Sequence, residues 1–163
     1  AECVIDSVEG RRAYDADGLS AYRQLPLAVV LPETVQQIAA VMKYCHGEGI
    51  KVVPRGSGTS LSGGALPLAD AVLVGLGKFN RILDVDYANR CVVAQPGVTN
   101  LAITHAVQAD GFYYAPDPSS QIACSVGGNV AENSGGVHCL KYGLTTNNLL
   151  GIELKHQLLD RLK

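Results

Sequence analysis

Residues 27–59 read LAVVLPETVQQIAAVMKYCHGEGIKVVPRGSGT, and the order of patterns in that stretch decides the fold. The run LAVVL at 27–31 is short and continuously apolar, the pattern of a buried strand. Pro32 ends it. Thr34 opens a helix, with Gln37 three residues on at the spacing of a capping box. Val35, Ile38, Met42 and Cys45 recur at helical spacing, and Gly47 and Gly49 stop the helix. IKVV at 50–53 is a second strand. Strand, helix and strand in that order predict a βαβ unit with a parallel pair.

Outward from this unit the pattern changes. Residues 1–26 are polar and irregular, with Tyr14, Asp15, Asp17, Gly18 and Tyr22 among them. Downstream, a polar glycine-rich loop covers 55–64, and AVLV at 71–74 is a third strand. Residues 82–85 and 91–94 pair as a hairpin across the turn DYAN at 86–89. A helix follows over about 100–109, closed by Gly111. Residues 113–147 show little regular pattern but many glycines, serines and asparagines, and a loop of that length usually has a job. Residues 149–154 form a last strand candidate. The expectation is an α+β fold: a small parallel sheet from strands near 27–31, 50–54 and 72–75, then a mostly antiparallel group beginning near 81.

The 163 residues suffice for one ordinary domain with a real core. Charged residues are 17% against a typical ~25%, so part of the surface is expected to meet a partner, another domain or a large cofactor. A compact, well-covered α/β domain is the plainer alternative. The net charge of -2, with no basic run, argues against nucleic acid. No apolar run approaches the ~18 residues of a spanning helix, and the first residues do not read as a signal peptide. Cys3, Cys45, Cys91, Cys124 and Cys139 are odd in number and widely spaced, without a C-x-x-C. They read as reduced thiols of a cytoplasmic protein, with neither a disulfide framework nor a metal site.

Chemistry concentrates in two loops. In the first, Arg55, Gly56, Ser57, Gly58 and Thr59 follow directly on a strand. Two glycines around a serine let successive N–H groups turn inward as an anion nest, hydroxyls add uncharged donors and Arg55 a positive charge. Rival motifs fail on spacing: a dinucleotide fingerprint from Gly56 meets Leu61 where it needs glycine, and a P-loop from Gly58 meets Gly64 where it needs lysine. A flexible surface loop is the alternative. In the second, PDPSS at 116–120 is stiffened by its prolines, and SVGGNVAENSGG follows at 125–136. Gly127-Gly128 and Gly135-Gly136 permit close approach to a planar ring. Asn129 and Asn133 lie four apart and on a helix would share one face, offering neutral hydrogen bonds. Glycine turns around a packed helix are the alternative.

PRGSGT at 54–59, QPGV at 95–98, DPSS at 117–120 and SVGGNVAENSGG at 125–136 stand in this order and at these distances. Together they resemble the PCMH-type FAD-binding domain of vanillyl-alcohol oxidase-like enzymes. Within that family the wording is most similar to the group of glycolate oxidase flavoprotein subunits D and D-lactate dehydrogenases. DGLSAYR at 17–23, SLSGGALPL at 60–68, YYAPDPSSQIACS at 113–125 and AENSGGVHCLKYGLT at 131–145 carry that similarity. It spans about 12–154. Each motif alone is weak; four in register are specific.

The resemblance implies non-covalent FAD and the oxidation of a small (R)-2-hydroxy acid such as glycolate or D-lactate to the 2-oxo acid. It implies a pyrophosphate cradle at Arg55, Gly56, Ser57, Gly58 and Thr59. Ser119, Gly127, Gly128 and Asn129 become neighbours of the flavin ring and ribityl chain. Asn133, Gly135, Gly136 and Gly143 become the wall supporting them. His138 and Cys139 are expected to be a packed or flanking pair, not a covalent flavin link. The implied organisation is a partial FAD-binding domain, with a first subdomain over about 1–77, the start of a second over about 78–163 and the C-terminal substrate domain absent. The base and the cationic clamp for the acid, and with them turnover, are expected outside this chain, and no catalytic residue is assigned. Other subunits or self-association are expected as partners, placing a cytoplasmic protein at the inner face of the membrane. The alternative is an FAD-binding or interaction module, or a fragment, without activity of its own. The tail 155–163 departs from the family pattern, with Leu158, Leu159 and Leu162 spaced for one helix face.

Overall fold

The computed structural model describes residues 3–154. The chain divides into two compact units, Ala1–Leu76 and Gly77–Leu150, with residues 151–154 grouped with the first, not the second. The leucine-spaced tail at 158–162 lies outside the described residues.

The first unit is built on a four-stranded sheet in the order β1-β2-β4-β3. Its strands are β1 (Val4–Ile5), β2 (Ala28–Val30), β3 (Lys51–Arg55) and β4 (Ala71–Gly75). β2 and β3 both run parallel to β4. The expected parallel pair is therefore not a direct one, because β4 is inserted between its two members. β4 takes the centre because it is apolar on both faces, with Ala71, Leu73, Val74 and Gly75 all buried. Val29, Leu73 and Val53 stand in one register row across the three strands, at 0%, 0% and 8% exposure. Pro54 is tolerated inside β3 because β3 is an edge strand whose outer side needs no donor.

Helix α2 (Val35–Gly47) starts as its sequence requires: Thr34 caps it by accepting from the Gln37 N–H at 3.2 Å. The Gln37 side chain reaches back to accept from the Glu33 N–H at 2.7 Å, one residue beyond the Thr34 N–H of an ideal capping box. Residues 1–26 are more ordered than their polar composition implies. β1 adds to the sheet antiparallel to β2, and α1 (Val8–Arg12) is capped by Ser7. Arg11 Nη1 then donates to the Pro26 and Leu27 carbonyls at 2.7 and 3.2 Å. Two strand residues and one helical turn are too short for a periodic signal; long-range pairing holds them.

In the second unit β5 (Ile82–Asp86) and β6 (Cys91–Ala94) form the expected antiparallel hairpin. Asp86 closes the turn by accepting from the Asn89 backbone and side chain at 3.0 and 2.6 Å. α3 (Asn100–Val107) is shorter than expected: a 3-10 turn at Gln108–Asp110 replaces its last residues before the left-handed Gly111. Residues 113–147 contain α4 (Val126–Glu132), α5 (Cys139–Tyr142) and a 3-10 turn at Thr145–Asn148. Residues 149–154, read from sequence as a strand, form none.

Leu73 is the test of this core. Leu73→Ala opens a cavity between Val29 and Val53 where the backbone ladders on both sides resist collapse. The variant is expected to lose about 2–5 kcal/mol of stability, read as a lower urea midpoint at unchanged slope.

Candidate functional site

The first loop leaves the carboxyl end of the parallel strand β3, the end of an open parallel sheet where ligands bind. The Leu76 N–H donates to the Arg55 carbonyl at 2.8 Å and continues the β4 ladder to that end. Beyond it Gly58 sits at φ +70°, in the left-handed region. A Cβ there would fall 2.6 Å from Arg55 Cζ, so the turn closes directly on the guanidinium plane. Gly56 and Gly58 are half-buried, while Ser57 and Thr59 are exposed. The hydroxyls of Ser60 and Ser62 bond each other at 2.9 Å.

Arg55 is held from an unexpected direction. Its Nη1 donates to the Ala16 and Tyr14 carbonyls at 2.7 and 3.3 Å, and its guanidinium lies 5.8 Å from the Tyr14 ring centre. Burial pulls its pKa below the ordinary arginine value, and the Asp17 charge opposes that shift. Asp17 is itself 8% exposed; its Oδ1 accepts from the Leu19 N–H at 2.9 Å, while its buried Oδ2 has no hydrogen-bond partner. Residues 14–17 were no part of the expected site. Their one signal in sequence is an acidic, tyrosine-bearing stretch, and nothing local ties it to a residue 39 to 41 positions away.

The remaining expected residues lie in the second unit. Ser119 is exposed on the turn between Pro118 and Gln121. Gly127 opens α4 against the QPGV segment: its N–H donates to the Pro96 carbonyl at 2.8 Å, and a Cβ would fall 2.6 Å from Pro96 Cβ. Asn129 and Asn133 do not share a face. Asn129 is buried, donating to Asn100 Oδ1 and at 3.3 Å to Cys124 Sγ. Asn133 leaves the helix at φ 52°, the left-handed C-cap, and its Oδ1 accepts from Thr146 N and Oγ1 at 3.0 and 2.9 Å. The helix ends one residue before the expected pair could align. Gly135 packs against Leu144, and Gly143 closes α5 against Asn147.

Gly136 rests on the backbone carbonyl of Asp117, leaving no space for a methyl group. Asp117 is the hub of a group that sequence reading did not assemble. Its carboxylate meets His138 Nδ1 at 2.8 Å and accepts from the His138 N–H at 3.3 Å. The rings of Tyr113, His138 and Tyr142 lie 5.9 to 6.4 Å from one another. The hydrogen bond between the two phenols raises Tyr113 and lowers Tyr142, the latter aided by Lys141. The second unit also carries an apolar cleft of about 90 Å³ beside Val85, Val92, Ile103 and Phe112. That is well below the ~300 Å³ at which small-molecule sites begin.

Gly128 differs from its neighbours. It is exposed within α4, and a Cβ would meet only Ser125 Oγ at 3.5 Å, ordinary contact. Nothing among the described residues requires glycine there, although glycine costs a helix about 0.8–1 kcal/mol against alanine.

Known proteins resemble this chain along most of its length. A family model described as FAD binding domain matches residues 26–155. The chain is 60% identical over 142 residues to glycolate oxidase subunit GlcD of Escherichia coli K12, covering 87% of this chain and 28% of that protein. It is 39% identical to the GlcD of Bacillus subtilis, covering 91% and 32%, and 32% identical to a D-2-hydroxyglutarate dehydrogenase of Xanthomonas citri, covering 86% and 30%. It thus spans about three-tenths of the length of these relatives. Among solved structures, an alkyldihydroxyacetonephosphate synthase superposes with TM-score 0.79 at 20% identity, covering 91% of this chain and 29% of that one. That likeness speaks to fold alone, and it is the PCMH-type α+β fold.

The steric contrast between two glycines predicts opposite outcomes. Gly136→Ala is expected to destabilise by about 1–3 kcal/mol through overpacking against Asp117. Gly128→Ala is expected to stabilise by about 0.5–1 kcal/mol. Paired urea titrations separate them; equal destabilisation would contradict the open space at Gly128.

Proposed function

The chain belongs to the FAD binding domain family, and from that premise we propose that it holds FAD, non-covalently, for an oxidoreductase acting on a small (R)-2-hydroxy acid. The observation that carries the cofactor reading is the Gly58 turn at the end of β3. It is a left-handed glycine turn whose Cβ side is closed by the Arg55 guanidinium, placed where parallel sheets receive phosphates. A pyrophosphate has the size and charge for the N–H groups of Gly56 to Thr59, with the exposed Ser57 and Thr59 hydroxyls as further donors. In the second unit, close approach of a flat ring accounts for the missing side chain of Gly128, and Ser119, Gly127 and Asn129 are its proposed neighbours. Asn133, Gly135, Gly136 and Gly143 support that wall, each through the internal packing described above. When bound, the flavin supplies the hydride acceptor. The chain's own residues bind and orient it.

The substrate class rests on the relatives' names, glycolate and D-2-hydroxyglutarate both being 2-hydroxy acids. Partners are proposed on two grounds. The GlcD relatives are named as subunits, and Val137 and Leu140 stand 84% and 102% exposed on one short segment. No helix among the described residues is long and apolar enough to cross a membrane. A cytoplasmic site, reaching the inner face of the membrane through partner subunits, is supported by five free thiols.

The purified chain titrated with FAD is expected to show saturable binding in its flavin absorption bands. Gly58→Val is expected to weaken that binding by about tenfold or more, since a β-branched residue strains a positive φ and displaces Arg55. Retention of flavin at wild-type affinity, with an unchanged circular dichroism spectrum, would show that the phosphates lie elsewhere.

A further inference from the structure

Arg55 was expected to offer its positive charge to the ligand, but the structure shows that charge already engaged. Its Nη1 is committed to the Ala16 and Tyr14 carbonyls, and its plane faces the Tyr14 ring. One guanidinium nitrogen holds both carbonyls while the flat group also meets the Tyr14 ring and the Gly58 turn; an ammonium could bond the carbonyls but has no plane to offer. The Gly58 turn closes on the same guanidinium. The N-terminal segment also touches the loop directly. A Cβ on Gly18 would fall 2.6 Å from the Ser60 carbonyl oxygen and 2.7 Å from that of Thr59, so backbone lies on backbone there. Between these two contacts sits Asp17, buried, with one carboxylate oxygen bonded to the Leu19 N–H and the other without a hydrogen bond. A buried carboxylate is costly unless a nearby cation answers it, and Arg55, bonded to the carbonyl of the preceding Ala16, is the cation held beside this stretch.

We propose that Asp17 and Arg55 are a positioning pair for the phosphate cradle: Arg55 shapes the Gly58 turn from beneath and Asp17 neutralises it, so neither touches the ligand. The cradle then presents neutral backbone and hydroxyl donors to the pyrophosphate. This rests on the cradle reading above and adds to it the device that sets the loop's shape.

The signs of the two models differ. If Arg55 met the phosphates, removing the nearby negative charge with Asp17→Asn would strengthen FAD binding. Arg55→Lys would keep much of the affinity, and salt would weaken it steeply. In a positioning pair Asp17→Asn weakens binding, because the amide no longer supplies a negative charge to offset the part-buried guanidinium, while Oδ1 keeps its bond to Leu19. Arg55→Lys weakens it too, because an ammonium, though able to bond the carbonyls, leaves no flat group against Gly58.

The test is fluorescence titration of FAD with the whole chain and both variants, at about 50 and about 500 mM salt. The expected result is about tenfold weaker binding for each variant and less than about a twofold salt effect on the wild type. Tighter binding by Asp17→Asn, or wild-type affinity in Arg55→Lys, overturns the pair. If the wild type holds no flavin, the cradle reading fails, and hydrogen exchange of the ligand-free protein still decides the inference. Amides 56–60 should exchange about tenfold faster in both variants while those of β4 stay protected. Unchanged exchange at 56–60 overturns it.

Discussion

A charged group withdrawn from water has to be answered by the chain around it, and in the first unit that constraint falls on Arg55. Its guanidinium is gripped by two carbonyls and a tyrosine ring from residues 14–16. The glycine turn at 58 then has one shape available, since only a hydrogen fits against the guanidinium. The sheet beneath supplies the other half of the constraint. β4 between β2 and β3 fixes where β3 ends, and the Leu76 N–H fixes the Arg55 carbonyl there. A rigid strand end and a pinned side chain leave the loop little freedom to lose on meeting a ligand, which is how preorganisation favours binding.

The second unit solves a similar problem with the opposite charge. Asp117 is nearly buried, and His138 answers it through both Nδ1 and its backbone N–H. Gly136 is what allows this approach, since it lies against the Asp117 carbonyl. The imidazole is oriented on one side by the carboxylate and packed on the other by Tyr113 and Tyr142. The proline-stiffened turn at 116–118 and the short helix α5 are thereby tied together without a disulfide. Asn100 does the same deeper in the unit, donating to the Pro116 carbonyl at 2.9 Å while accepting from Asn129.

The glycines of residues 127–143 are consequently not of one kind. Gly127, Gly135, Gly136 and Gly143 each have a neighbour within the unit that excludes a side chain. Their identity is accounted for by packing. Gly128 has none closer than 3.5 Å, and its helical position makes glycine unfavourable. A helix former would be preferred unless something outside the protein occupies the space. The same logic separates the asparagines: Asn129 serves the buried polar core, and Asn133 serves the left-handed end of α4.

The local pattern of the chain determined much of this. Apolar runs marked β2, β3, β4 and the hairpin β5–β6, and Thr34 with Gln37 marked the start of α2, because strand burial and helix capping are encoded within a few neighbouring residues. The motif order PRGSGT, QPGV, DPSS and SVGGNVAENSGG carried the family resemblance for the same reason, as short backbone-dependent loops each written in adjacent residues. Only the tertiary structure decided that β4 separates β2 from β3, since an apolar strand does not name its neighbours. It also decided that residues 4–12 join the fold, and that 149–154 do not form a strand although their apolar residues permit one. It turned Asn133 off the helix through a left-handed cap that spacing alone does not reveal. Above all it brought Tyr14, Ala16 and Asp17 to Arg55, and Asp117 to His138. Hydrogen bonds and charge pairs act through space, and the sequence separations of 39, 41 and 21 positions leave no periodic trace.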